Sequence, residues 1–230
     1  MSDHVDVQRI AKKAMEATRA ALRPGQTLAE VREGCETRLL ELGADSFWYW
    51  EIGAFVFAGP GTVRSVSGRD YETPDYVLGE QELLTLDLSP QRRGIWGDFA
   101  RTLIIEDGLP LEDPLDSSNA EWRSGVLTEQ HLHARLRELA VPSMTFEELA
   151  GRMNEHIVDL GYENLDFLGN LGHSIARRSS DRVYIEPGNQ DRLDSVDFFT
   201  FEPHIRRPDG LFGYKHEDIY CFDEGRLTAI

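Results

Sequence analysis

Sulfur is scarce in this sequence. Its two cysteines, Cys35 and Cys221, stand far apart in 230 residues. They supply neither a disulfide framework nor a Cys-x-x-Cys pair. Long apolar runs are also missing, and none approaches the roughly 20 residues that cross a bilayer. The opening MSDHVDVQRIAKKA lacks the basic start and apolar core of a secretion signal. A cytoplasmic location with no membrane partner is the expectation. Positive charge is in short supply: 24 Lys and Arg face 41 Asp and Glu, for a net charge of −17. That balance argues against a nucleic-acid partner, whose phosphates need cations. Histidine is absent between His4 and His131.

The remainder is ordinary for a soluble enzyme, 40% hydrophobic and 28% charged, with enough chain for a sizeable core. Ile10, Ala14, Ala17 and Ala21 form one helical stripe within 5–22, and Pro24-Gly25 ends it. Thr27-Leu-Ala-Glu30 is a capping box that starts a second helix, with Gly43 as its stop. Phe47 to Trp50 and Phe55 to Phe57 read as aromatic strands, and 65–75 as loop. A helix is expected over 120–139 and another from the capping box Thr145-Phe-Glu-Glu148 to Leu160, stopped by Gly161.

The stretch ELLTLDLSPQRRGIWGDFARTLIIE, 82–106, reads as two strands about a polar break at Gln91–Gly94. Symmetric pairing about that break sets Asp87 opposite Asp98. Opposed carboxylates repel unless a cation lies between them. Two exposed acids flanking a turn explain this stretch equally well. The pattern then recurs. Thr27 to Gly43 matches Thr145 to Gly161 without gaps, and Glu82–Asp87 resembles Asp197-Phe-Phe-Thr-Phe-Glu202. A second acid follows each: Asp98, then Glu217. The chain therefore reads as two related halves. A pseudo-twofold axis would gather Asp87, Asp98, Glu202 and Glu217 at the centre. Four buried acids there call for about two divalent cations. His173, in Asn170-Leu-Gly-His173-Ser-Ile, is a candidate fifth ligand.

In this order, Asp, Asp, His, Glu, Glu, the sequence resembles the pita-bread metallopeptidases: methionine aminopeptidase, aminopeptidase P, prolidase and the metal-free creatinase. LTLDLSPQRRGIWGDFARTLII is similar to the family segment with both aspartates. LGHSI resembles its Gly-His-Gly/Ser-Ile motif, FTFEPHI its Phe-Thr-(Ile/Val)-Glu-Pro motif, and GYKHEDIYCFDEG its closing Glu-Asp segment. The resemblance spans almost the whole chain. It implies an α+β, duplicated pita-bread fold: a curved antiparallel sheet with helices outside and pseudo-twofold halves, roughly 1–110 and 119–230, within one domain over 1–230. It implies two divalent ions (Mn, Co, Fe or Zn) held by Asp87, Asp98, His173, Glu202 and Glu217. Asp98 and Glu217 would bridge, and Glu202 would also act as general base.

The sequence departs from that family at two histidines near the substrate. One should precede the first aspartate, where the chain has Trp48-Tyr-Trp-Glu51 and 54–62. The other should follow the Gly-His motif, where ARRSSDRVYIEPG has none and Tyr184 is the nearest substitute. Trp50, Tyr184 and His204 are the substrate-binding candidates, with an exposed strand position the competing expectation for His204. His131 and His133 are expected to be solvated on their helix, and His216 to face away from Glu217. The function implied is a dinuclear metal-dependent hydrolase of a peptide or amide bond, of the aminopeptidase P and prolidase class, with a small peptide or amide substrate and a homodimeric assembly. The alternatives are a creatinase-like small-molecule amidohydrolase and a non-catalytic peptide-binding module.

Overall fold

A computed structural model describes residues 2–230. The first half begins with helices α1 (Ser2–Ala21) and α2 (Leu28–Glu41). Strands β1 (Ser46–Phe47), β2 (Ala54–Ala58), β3 (Glu82–Leu88), β4 (Pro90–Arg92), β5 (Ile95–Trp96), β6 (Phe99–Glu106) and β7 (Leu109–Pro110) follow. The second half has α3 (Ala120–Leu139), α4 (Phe146–Asp159), β8 (Glu163–Asn164), β9 (Phe199–Phe201), β10 (His204–Arg206), β11 (Gly213–Lys215), β12 (Asp218–Asp223) and β13 (Arg226–Ala229).

The duplication is visible in the hydrogen bonds. Glu30 N–H donates to Thr27 Oγ1 while Thr27 N–H donates to the Glu30 carboxylate, and Thr145 and Glu148 do the same. At the far ends Gly43 N–H donates to Leu40 O and Ala44 N–H to Leu39 O. Gly161 and Tyr162 repeat this with Val158 and Ile157. The sheets repeat as well. The order β1-β4-β5 has its counterpart in β8-β10-β11, and β2-β3-β6-β7 in β9-β12-β13 extended by a bridge from Ser174 to Phe199. All these pairings are antiparallel.

Each half carries its own core beneath its helices. Leu84, Leu86 and Leu88 of β3 and Val56 of β2 pack with Leu28, Val31, Cys35 and Leu39 of α2. Phe199, Phe201 and Tyr220 pack with Leu132, Leu136, Phe146, Leu149 and Met153. Each fully buried Leu contributes about 1.5–3 kcal/mol. A one-residue slip of β3 would turn three leucines away from the α2 core and drive Asp87 into it, so the register is firmly held.

The pairing differs from symmetry about Gln91–Gly94. Gln91 pairs with Trp96 and Arg92 with Ile95, which leaves a two-residue turn, Arg93-Gly94. Both turn residues have positive φ, 54° and 74°, as the tight hairpin that matches strand twist requires. The register consequently sets Asp87 opposite Ala100, not Asp98. The shift is by two residues, so both acids keep the same face. The aromatic strand over Phe47–Trp50 is also cut short. It stops at Phe47, and Trp50 and Glu51 sit at φ 55° and 59° in a turn. His133 is buried, not solvated, because it lies on the inner face of α3, bonded to Tyr220 OH and His216 O.

The halves meet along one seam. Glu217 N–H donates to Ala100 O at 2.9 Å, and Lys215 N–H to Thr102 Oγ1 at 2.9 Å. Arg101 crosses it, donating to Glu217 O at 2.6 Å and pairing with Asp218 at 2.9 Å. Beneath it Glu129 of α3 is 2% exposed, and neither carboxylate oxygen has a partner among the described residues. Burial pushes its pKa well above the carboxylate range, against smaller opposing effects of Lys215 and Arg101. A raised folded pKa makes the folded state hold a proton that the unfolded state has released. The resulting destabilisation grows as pH rises above the unfolded value. Glu129→Met should therefore raise the melting temperature by a few degrees, on the order of 1–3 kcal/mol, at pH 7.5. The gain should be smaller at pH 5. Thermal melts of both proteins at the two pH values check this.

Candidate metal centre

Five chain segments deliver the acids and the imidazole predicted from sequence. Asp87 projects from β3 on the face opposite Leu86 and Leu88. Asp98 sits in the short link between β5 and β6. Its backbone is clamped by fully buried Gln8 of α1, which donates to Asp98 O at 2.6 Å and accepts from Asp98 N–H at 3.1 Å. Glu202 follows β9, and Glu217 lies between β11 and β12 at the seam. His173 stands on a loop bound to β9 in both directions: His173 N–H donates to Thr200 Oγ1, and Thr200 N–H to His173 O at 2.7 Å. The loop approaches so closely that a Cβ on Gly172, whose φ is +136°, would lie 2.4 Å from Thr200 O. Only glycine fits there.

These groups converge. Oxygens of Asp87, Asp98 and Glu217 lie within 4.8 Å of one another. His173 Nε2 is 3.6 Å from Asp98 Oδ2 and 3.8 Å from Glu202 Oε1. His173 Nδ1 donates to Ser174 O at 3.0 Å, so in the neutral ring Nε2 carries a lone pair. Burial first, then Arg182, pushes the His173 pKa down to about 3, which keeps that ring neutral. A lone pair thus faces two carboxylates. Asp98 Oδ2 and both Glu217 oxygens are buried without a hydrogen-bond partner among the described residues. Burial raises both pKa values well above the carboxylate range, reinforced at Asp98 by Asp87 and Glu202 and at Glu217 by Asp98. Glu202 is pushed up to about 7, chiefly by burial. Hard oxygen donors, one oriented imidazole and unpartnered buried oxygens are the donor set that a divalent cation satisfies.

Sequence reasoning missed one charged neighbour. Lys215 Nζ lies 2.5 Å from Asp87 Oδ2 and 3.2 Å from Glu202 Oε2. Burial disfavours its charge, but Asp87, Glu202 and Glu217 more than offset that and hold its pKa well above the ordinary value. Strand alternation could have found it, since Lys215 stands two residues before Glu217.

The centre opens on a cavity of about 440 Å³. Trp48, Tyr49, Phe55, Phe57 and Tyr184 form apolar walls, and Asp166, Arg64 and Arg182 add charge. Trp50 does not join them. It is 58% exposed and lies outside the cavity wall. His204 lines the cavity but is buried, not an exposed strand residue, because its Nε2 donates to Thr62 O at 2.7 Å. Burial, then Lys215, pushes its pKa down to about 4. The Arg182 guanidinium lies 5.2–5.4 Å from the ring centres of Tyr184, Tyr49 and Trp48. Among the described residues it forms no carboxylate ion pair. A second group, His133, His216 and Asp218, is compact but already satisfied by Tyr220, His216 O and Arg101.

The pattern of metallopeptidase family M24 matches residues 4–224. The chain belongs to that family. M24 is a family of metallopeptidases. Solved M24-like structures share its fold. The X-Pro aminopeptidase of Thermotoga maritima is 18% identical with a TM-score of 0.81, covering 99% of this chain and 59% of that one. The prolidase of Pyrococcus furiosus is 21% identical with a TM-score of 0.80, covering 99% and 62%. The dipeptidase PepE of Mycobacterium ulcerans is 20% identical with a TM-score of 0.74, covering 100% and 58%. The chain therefore spans about three fifths of the length of these structures. No curated protein matches it. No helix of the described residues is long and apolar enough to cross a membrane.

The unpartnered oxygens carry a stability signature. Asp98→Asn removes one of several mutually repelling acids, so in the presence of a chelator it should melt a few degrees above the wild type. Added Mn²⁺ should raise the wild-type melting temperature but leave Asp98→Asn nearly unmoved. Melts of both proteins with EDTA and with Mn²⁺ check the pair.

Proposed function

We propose that this M24 chain is a dinuclear metal-dependent hydrolase of an amide bond in a small substrate with a free carboxylate. The observation that carries the reading is His173: its Nε2 lone pair faces Asp98 and Glu202 at the inner end of the cavity. Asp87, Asp98, His173, Glu202 and Glu217 would hold the ions. When bound, the ions supply Lewis acidity toward a carbonyl and acidify water.

The chain's own groups supply the rest. Glu202 is oriented by Lys215 and, at 3.5 Å, by Thr200 Oγ1. It takes a proton from the attacking water and returns it to the leaving amine. Arg182, steadied by three rings and by its Nε–H bond to Ser179 O, offers its two terminal nitrogens to a substrate carboxylate. The aromatic walls exclude water from the bond being cleaved.

The small-amide reading is favoured over cleavage of ordinary peptides by the histidines of the cavity. Among the described residues only His173 and His204 line it, and His204 Nε2–H is committed to Thr62 O. Losing one positioned donor or acid costs about 10²–10³ in rate. Met-Ala-Ser and Xaa-Pro dipeptides should be poor substrates of Mn- or Co-loaded protein, while N-acyl amino acids should turn over. Amidation of the substrate carboxylate and Arg182→Met should each raise KM about tenfold or more. Glu202→Gln should lower kcat by about 10²–10⁴ with an unchanged circular dichroism spectrum. Cleavage of Met-Xaa or Xaa-Pro peptides near or above about 10⁴ M⁻¹s⁻¹ would instead make this an ordinary peptidase.

A further inference from the structure

Lys215 places a cation inside the cluster, and its position there is fixed. Its backbone N–H donates to Thr102 Oγ1 at 2.9 Å, and its carbonyl accepts from the same hydroxyl at 3.2 Å. It pairs with His204 across β10 and β11 and stands two residues before Glu217. The ammonium therefore reaches Asp87 Oδ2 and Glu202 Oε2 from a rooted stem.

The two contacts are unequal in their consequences. Glu202 engages Lys215 through Oε2 and still turns Oε1 toward His173. On that side the donors are Asp98, His173 and Glu202, with Glu217 adjoining. Their ligand atoms are 3.6 and 3.8 Å apart across His173, close to the roughly 3.4 Å between donors that share an ion at 2.0–2.2 Å. The other side has Asp87, Asp98 and Glu217 and no imidazole. One Asp87 oxygen there is already held by the ammonium at 2.5 Å. A divalent ion on the Asp87 side must share its carboxylate with Lys215 and lie beside a like charge.

We propose that Lys215 sets the metal occupancy of the centre: its ammonium takes the share of Asp87 that a second divalent ion needs, and so weakens filling on the Asp87 side. This inference rests on reading the cluster as a metal centre. It makes Lys215 a positioning residue for metal, acting through Asp87.

The test is a Mn²⁺ titration of the chelator-stripped, full-length chain, followed by calorimetry and by the electron paramagnetic resonance of free and bound Mn²⁺. The wild type should take up one Mn²⁺ and bind a second at least about tenfold more weakly. Lys215→Met keeps the stem and removes the charge. It should tighten the second step about tenfold or more, and the exchange-coupled two-ion signal should appear at lower Mn²⁺. Lys215→Gln serves if the Met variant does not fold. Lys215→Arg should keep the gap. Unchanged stepwise constants in the neutral variants, or a weaker second step, would overturn the role of Lys215 and leave the metal centre standing. Failure of the wild type and the neutral variants alike to bind any Mn²⁺ would overturn both.

Discussion

Repulsion among four acids, Asp87, Asp98, Glu202 and Glu217, is the constraint around which the molecule is arranged. Three of them have pKa values pushed up first by burial. Among side chains they face one ammonium, Lys215, and one neutral imidazole, His173. Such a group is costly to assemble, and side-chain contacts alone do not repay it. The surrounding framework does: two leucine- and aromatic-rich cores, one per half, hold β3 and β9 while their opposite faces present the acids. The stability of the cores is what permits an unfavourable centre.

The seam between the halves turns two weak half-sites into one. Without the Glu217–Ala100 hydrogen bond and the Arg101 bonds across it, Asp98 and Glu217 would have no fixed separation. Gln8 fixes Asp98 from the helix side and Thr200 fixes His173 from the strand side. Asp98, Glu217 and His173 are thus held by their backbones, which leaves Asp98 Oδ2, the Glu217 oxygens and His173 Nε2 uncommitted among the described residues. That division of labour distinguishes this cluster from His133, His216 and Asp218, whose side chains are consumed by hydrogen bonds to one another and to Tyr220 and Arg101.

Much of this was legible in the sequence because it rests on local chemistry. The capping boxes at Thr27 and Thr145 and the glycine stops set matching helices, and the motifs singled out the four acids and the imidazole that the fold brings together. What was not legible depends on turn geometry and on contacts distant in sequence. The turn is Arg93-Gly94 and not a four-residue break, so Asp87 faces Ala100. His133 and His204 are buried by partners 83 and 142 residues away, which no local pattern announces. Trp50 is turned outward by a left-handed backbone that an aromatic run gives no reason to expect. Lys215 was overlooked, although it stands two residues before Glu217.

The central claim is that the cluster exists to hold divalent cations. Anomalous diffraction from crystals of the Mn²⁺-loaded protein tests it most directly, because it locates the ion without reference to activity. The account predicts an anomalous-difference peak bounded by Asp98, His173, Glu202 and Glu217. A fully loaded crystal whose manganese lies elsewhere, with these carboxylates still facing an empty centre, would contradict it.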